Sequence, residues 1–198
     1  MRTADGFIPG VPGMVMIAMA YIICHGATIW VIAPVQHFFW ESASVFASLA
    51  YLPHGVRVLS VWLMGWRAIL PLVLGAVLAN LIFTGADIRD LMQNRMWISI
   101  LTSTLATYLA FELLRVFGVF AYAGSGRRMN WRQLLLAGLL ASVFNSMGQT
   151  LVFSGIVDPS SQIGEVAAYM VGDILGQVVL MMVLMLIFRA LRSPIRRS

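Results

Sequence analysis

Five stretches of about twenty residues carry almost no formal charge: Val11–Ile32, Ala68–Thr84, Trp97–Phe117, Leu134–Ile156 and Val166–Phe188. Together they hold only Glu112, Arg115 and Asp173 as acidic or basic residues. An α-helix rises 1.5 Å per residue, so about twenty apolar residues cross a hydrocarbon core of about 30 Å. A chain of 198 residues has no interior large enough to hide five such runs from water. Its residues are 60% hydrophobic and 11% charged, against roughly 25% charged in a soluble domain. A water-soluble globule, a disordered tail and a coiled coil are thereby excluded. The fold expected is all-α, a polytopic bundle of about six membrane helices forming one integral membrane domain over residues 1–198.

The sixth span lies in the less regular apolar region Phe38–Gly65, which contains Pro53 and Gly55. Proline lacks a backbone donor, and the residue before it avoids helical geometry. Glu41–Leu52 reads as a half-helix or interfacial segment and Pro53–Gly65 as a short span, so residues 41–65 form a span broken near Pro53 and Gly55. Non-helical backbone at membrane depth needs protein or water to satisfy it.

All 13 basic residues are arginine, and their positions set the topology. With six spans, Arg2, Arg67, Arg127, Arg128, Arg132, Arg189, Arg192, Arg196 and Arg197 fall on one side of the membrane. Arg89 and Arg95 fall on the other, mixed with Asp87, Asp90, Asp158 and Glu165. The positive-inside rule places both termini in the cytoplasm. The formal charge of +5 is therefore a topology signal and implies no nucleic-acid partner. The first apolar run is too long for a signal-peptide core and lacks a small-residue cleavage pattern, so it is expected to remain as a helix. The arginines from Arg189 to Arg197 read as a cytoplasmic anchor, or alternatively as a patch for lipid or a partner.

Polar groups converge at one depth. Counting from the loop ends puts His25, His54, Asn80, Asn145 and Asp173 roughly 10–12 Å below the outer surface of the hydrocarbon, with Arg57 about one turn deeper. Asn145 and Gln149 share a helical stripe, as do Asp173 and Gln177. Thr104, Tyr108 and Glu112 form another, with Arg115 three residues beyond Glu112 and placed to pair with it. Buried ionisable groups are costly and normally face the bundle interior. Two readings fit: hydrogen-bonding glue between helices, or a small polar cavity open toward the outer side. Arg57 and Asp173 are expected to interact directly or through one bridging group, with Asn80 and Asn145 completing the hydrogen bonds and His25 or His54 nearby. Gly172 and Gly176 form a GxxxG pattern, read here as packing the bundle. His25 and His54 also offer an axial pair for a b-type haem. His37 with Phe38, Phe39 and Trp40 reads as an interfacial aromatic belt. No HExxH, GxSxG, phosphate loop or paired cysteine occurs, and Cys24 has only the adjacent His25 as a base, about 100° away around a helix. No catalytic residue or metal site is expected.

The run Tyr51-Leu-Pro-His-Gly-Val-Arg57, then Met64-Gly-Trp-Arg67 and Leu74-Gly-Ala-Val-Leu-Ala-Asn80, resembles the MASE-type membrane-associated sensor domain. Tyr169-Met-Val-Gly-Asp-Ile-Leu-Gly176 is similar to that family's Gly-Asp element in the last span. The proline that often follows this element is missing, with Met181 and Met182 in the region. The family carries about eight spans and feeds a cytoplasmic kinase or cyclase. The resemblance implies a non-enzymatic, sensor-like or accessory subunit of a bacterial inner membrane. With six spans and no output domain, it would bind a small ligand or a partner membrane or cytoplasmic protein, surrounded by membrane lipid. Alternatives of similar format are the substrate-binding component of an energy-coupling-factor transporter and a structural subunit of a respiratory or photosynthetic complex.

Overall fold

The computed structural model describes residues 10–39, 48–83, 85, 94–123, 131–152 and 162–192. Most of these residues are helical, with no strand among them. Helix α1 spans Val11–Ala27 and continues through a π-helical turn, Thr28–Ile32, into α2, Ala33–Phe39. The first apolar helix therefore runs past the expected end at Ile32. The wide turn has a local cause. Pro34 brings no N–H and its ring would crowd a carbonyl one turn back, and the π turn loosens the ladder just there, with Ala33 N–H reaching Thr28 O. The exposed His37 and Phe38 lie on α2.

Helix α3 spans Leu52–Met64, a 3₁₀ turn follows at Gly65–Ala68, and α4 spans Ile69–Phe83. The expected break at Pro53–Gly55 lies elsewhere. Pro53 occupies the first turn of α3, where a missing N–H costs nothing, and Gly55 is an ordinary helical residue. The non-helical backbone comes before them, at residues 48–51. The rest of the expected half-helix, 41–47, lies outside the described residues. Helices α5, Asn94–Val116, α6, Trp131–Val152, and α7, Gln162–Arg192, complete the chain. They begin about three residues before the spans read from hydropathy, because amphipathic and charged ends extend helices past the apolar core.

Five continuous helical stretches are long and apolar enough to cross a membrane, one of them Leu52–Phe83. That stretch reverses direction at Gly65, whose φ of 58° and ψ of −136° belong to glycine. The contacts on α1 show the reversal. Leu52 N–H donates to Thr28 Oγ1 and Arg57 reaches Tyr21, so α3 runs against α1. Gly75 lies against Ala18 and Tyr21, and Phe83 against His25, so α4 runs with α1. Tyr122 packs beside Gly65, and Ala123 N–H donates to Trp62 O, which brings the end of α5 to the same turn.

Helix α3 is the centre of the bundle. Val58 and Val61 are wholly buried within it, and it packs on α1, α5, α6 and α7. Around it the outward faces of α1, α4, α6 and α7 expose Met, Leu, Val and Phe, as lipid-facing helices do. Buried small residues allow the close approach: Ala68, Ala76, Ala79, Ala137 and Ala141 sit at the contacts.

Gly172 and Gly176 serve a purpose the helix-packing reading missed. A Cβ at Gly172 would overlap the Ser48 carbonyl, and one at Gly176 would overlap the Tyr51 backbone. The two glycines form a groove for the non-helical segment 48–51. Tyr51 N–H donates to Gly172 O at 2.9 Å, which satisfies backbone that lipid could not.

Candidate functional site

Two buried polar groups meet at α3. On one side, Asp173 of α7 accepts a 2.9 Å hydrogen bond from Ser142 Oγ of α6, and the same carboxylate oxygen lies 3.4 Å from His54 Nδ1. His54 Nε2 donates to Gly138 O at 3.1 Å. A carbonyl only accepts, so Nε2 carries a hydrogen. A neutral His54 would then turn an Nδ1 lone pair toward Asp173. Nδ1 makes no hydrogen bond, and its contact with Asp173 is one of proximity alone.

The second group centres on Arg57, one turn along α3 and only 3% exposed. Its Nη2 donates to Tyr21 OH at 3.5 Å, and its carbon centre lies 5.4 Å from the Tyr51 ring centroid and 5.9 Å from that of Tyr21. Cation–π contact of this kind is worth about 2 kcal/mol when desolvated. The tyrosine hydroxyls approach each other at 3.4 Å. Arg57 Nε and Nη1 have no hydrogen-bond partner. His25 stacks on Tyr21 with centroids 6.2 Å apart and meets Tyr51 edge-on at 6.3 Å; both its ring nitrogens are buried without a partner.

The expected pairing of Arg57 with Asp173 is not the one formed. No direct ion pair or bridging side chain joins them; Asp173 faces Ser142 and His54, while the guanidinium turns to the tyrosines. His54 and Arg57, three residues apart, share one face of α3 but reach different helices, His54 towards α6 and α7 and Arg57 towards α1. The expected helpers are also elsewhere. Asn80 donates Nδ2 to Ala76 O of its own helix. Asn145 accepts from Gln149 Nε2 at 3.3 Å, and Gln149 makes two bonds with Ser99, so this stripe ties α6 to α5. Gln177, wholly buried, donates to Leu134 O and fills the space a side chain at Gly138 would need. Of the eight residues expected to cluster, the structure gathers Arg57 with His25, His54 with Asp173, and Asn145 with Gln149, and sets Gln177 against Gly138 with its amide on the Leu134 carbonyl.

The haem reading does not fit. His54 has Nε2 bonded to Gly138 and Nδ1 against Asp173, so neither nitrogen is available to iron. Among the described residues no group of three His, Cys, Asp or Glu is placed to hold a metal ion.

Tyr21, Tyr51 and Ser142 complete the site, and sequence reasoning passed over Tyr21 and Ser142. Tyr21 lies four residues before His25, on the same stripe, which is the signal that could have found it. Leu134, Gly138 and Ser142 form a stripe on α6 that offers two backbone carbonyls and a hydroxyl to Gln177, His54 and Asp173. Backbone carbonyls leave no trace in a list of polar side chains. At the opposite end of α5, Arg115 pairs with Glu112 at 3.2 Å, as its spacing suggested, and Tyr122 OH donates to Glu112 at 2.7 Å. Burial, then the bond to the Glu112 carboxylate, push the Tyr122 phenol well above its ordinary range.

The chain matches no protein-family model, no curated protein and no solved structure.

Proposed function

We propose that the chain is a non-enzymatic integral membrane module, sensor-like or accessory in role, that binds a small ligand or a partner protein through the cluster around α3. One observation carries this reading. A buried arginine keeps two nitrogens without a hydrogen-bond partner although a carboxylate lies on the next helix. An arginine retained only to hold helices together would have been satisfied by that carboxylate, because an unpaired buried charge is strongly destabilising. A group outside the chain is the natural partner.

Two further features support the reading. The stretches that resemble the MASE-type sensor domain, 51–57 and 169–176, pack on each other through Tyr51 with Gly172 and His54 with Asp173. The reversal at Gly65 and the arginine positions favour six crossings with both termini cytoplasmic, in a bacterial inner membrane. Arg67 on Trp66 and Arg132 on Trp131 then lie at the cytoplasmic interface, where aromatic and basic side chains anchor spans. A module of this kind transmits its state through a partner membrane or cytoplasmic protein.

Native mass spectrometry of the protein extracted in mild detergent tests the proposal. The wild type should retain a small molecule or a protein partner, and Arg57→Met should lose it while remaining inserted and folded. A wild-type chain with nothing bound, or equal retention by Arg57→Met, would overturn it.

A further inference from the structure

We infer that the group completing Arg57 is a carboxylate monoanion, held by the free edge of the guanidinium beside the Tyr21–Tyr51–His25 aromatic wall. This inference rests on the ligand-binding reading above and names the ligand's class.

Charge counting leads to it. Asp173, the buried carboxylate on the neighbouring helix, lies against His54 and Ser142 and makes no ion pair with Arg57. The guanidinium is always protonated. Among the described residues no carboxylate lies within ion-pair distance of that positive charge. A single negative charge neutralises it, and a neutral ligand or a water does not.

Hydrogen-bond counting narrows the class. A guanidinium has five N–H donors in a planar fork. Only the weak 3.5 Å bond to Tyr21 engages any of them, and Nε and Nη1 engage none. A planar group with two oxygens satisfies such donors in parallel, which is the geometry of a carboxylate on arginine. His25 adds a buried ring N–H donor without a partner, beside the same two tyrosines. The tyrosine faces supply apolar walls, and Tyr21 OH is the one competing acceptor, at a long 3.5 Å. Carboxylates reach this depth from two sources, water or the bilayer, as a free short-chain acid or as a fatty acid.

The test uses the full chain in nanodiscs of phosphatidylcholine, with the thermal unfolding midpoint read against sodium acetate, sodium dodecanoate and sodium chloride at matched ionic strength. Saturable stabilisation by acetate supports a water-borne carboxylate, and stabilisation by dodecanoate alone supports a lipid-borne one. Arg57→Met should abolish either response. Arg57→Lys keeps the charge without the fork and should weaken it at least about tenfold, which keeps the test decisive if the methionine variant does not fold. No response beyond that to chloride, or an undiminished response in Arg57→Lys, would overturn the inference. If both carboxylates fail while a native adduct still depends on Arg57, the carboxylate class falls and the binding reading stands. If no adduct depends on Arg57, both fall.

Discussion

Replacing Gly176 by alanine probes the join between the non-helical segment and α7. The added Cβ would overlap the Tyr51 carbonyl group and lie 2.7 Å from its nitrogen, so backbone must move. Overpacking of this kind costs about 1–3 kcal/mol. The displacement also breaks the bond from Tyr51 N–H to Gly172 O, and an unmade buried hydrogen bond costs about 1–3 kcal/mol more. The sum, about 2–6 kcal/mol, corresponds to a fall in unfolding midpoint of about 5–20 °C for a chain of this size. The Tyr51 ring, 5.4 Å from the Arg57 guanidinium, should move with its backbone, so the response to carboxylate should weaken as well. Differential scanning fluorimetry in one detergent measures the first effect, with Val171→Ala on the 52% exposed face of α7 as the control. A Gly176→Ala midpoint within a degree of the control would refute the packing argument. So would a loss confined to a dimer, since the two glycines would then face a second chain instead of segment 48–51.

Other substitutions separate the remaining contacts. Asp173→Asn should cost less than about 1 kcal/mol, because its amide can accept from Ser142 and donate to the His54 Nδ1 lone pair, whereas Asp173→Ala should cost about 3–5 kcal/mol by stranding His54 and Ser142; equal losses in chemical unfolding would refute this contact. Gly65→Ala should lower stability by about 1–3 kcal/mol from backbone strain alone, the nearest atom to the new Cβ being Tyr122 Cε1 at 3.7 Å; an unchanged midpoint would place the reversal elsewhere. Tyr122→Phe should cost about 1 kcal/mol, the loss of one hydrogen bond at a half-exposed site. The folded-state phenol titrates above its unfolded value, so its contribution is full below about pH 10 and declines as pH rises beyond that. A wild-type stability that rose above pH 10 relative to Tyr122→Phe would contradict this.

Hydropathy revealed which segments must enter lipid, and spacing revealed which of their faces are polar. Both follow from transfer free energies that act residue by residue. Glu112 with Arg115 and Asn145 with Gln149 were legible because partners three or four residues apart on one helix meet whatever the tertiary fold. Partners on different helices were not. His54, rather than Arg57, faces Asp173 because the rotation of α3 is set by Gly55 packing on Gln177 and Leu180 and by the backbone at Tyr51 seated on Gly176. Those approaches depend on missing side chains, which hydropathy does not weigh. Proline was over-read for a similar reason. Pro53 lies at a helix start and Pro34 follows a π turn, and the residue alone does not say which accommodation the chain will use.

The most direct measurement places a labelled carboxylate beside one arginine. Acetate or dodecanoate with a ¹³C carboxyl, bound to [¹⁵N]arginine-labelled protein in nanodiscs, is read by carbon–nitrogen dipolar recoupling in solid-state NMR. A short-range coupling from the carboxyl carbon to a single guanidinium, absent in Arg57→Met, is the expected result. A bound carboxylate coupled to no guanidinium, or coupled equally in the methionine variant, would contradict the assignment of Arg57 as the intramembrane binding group.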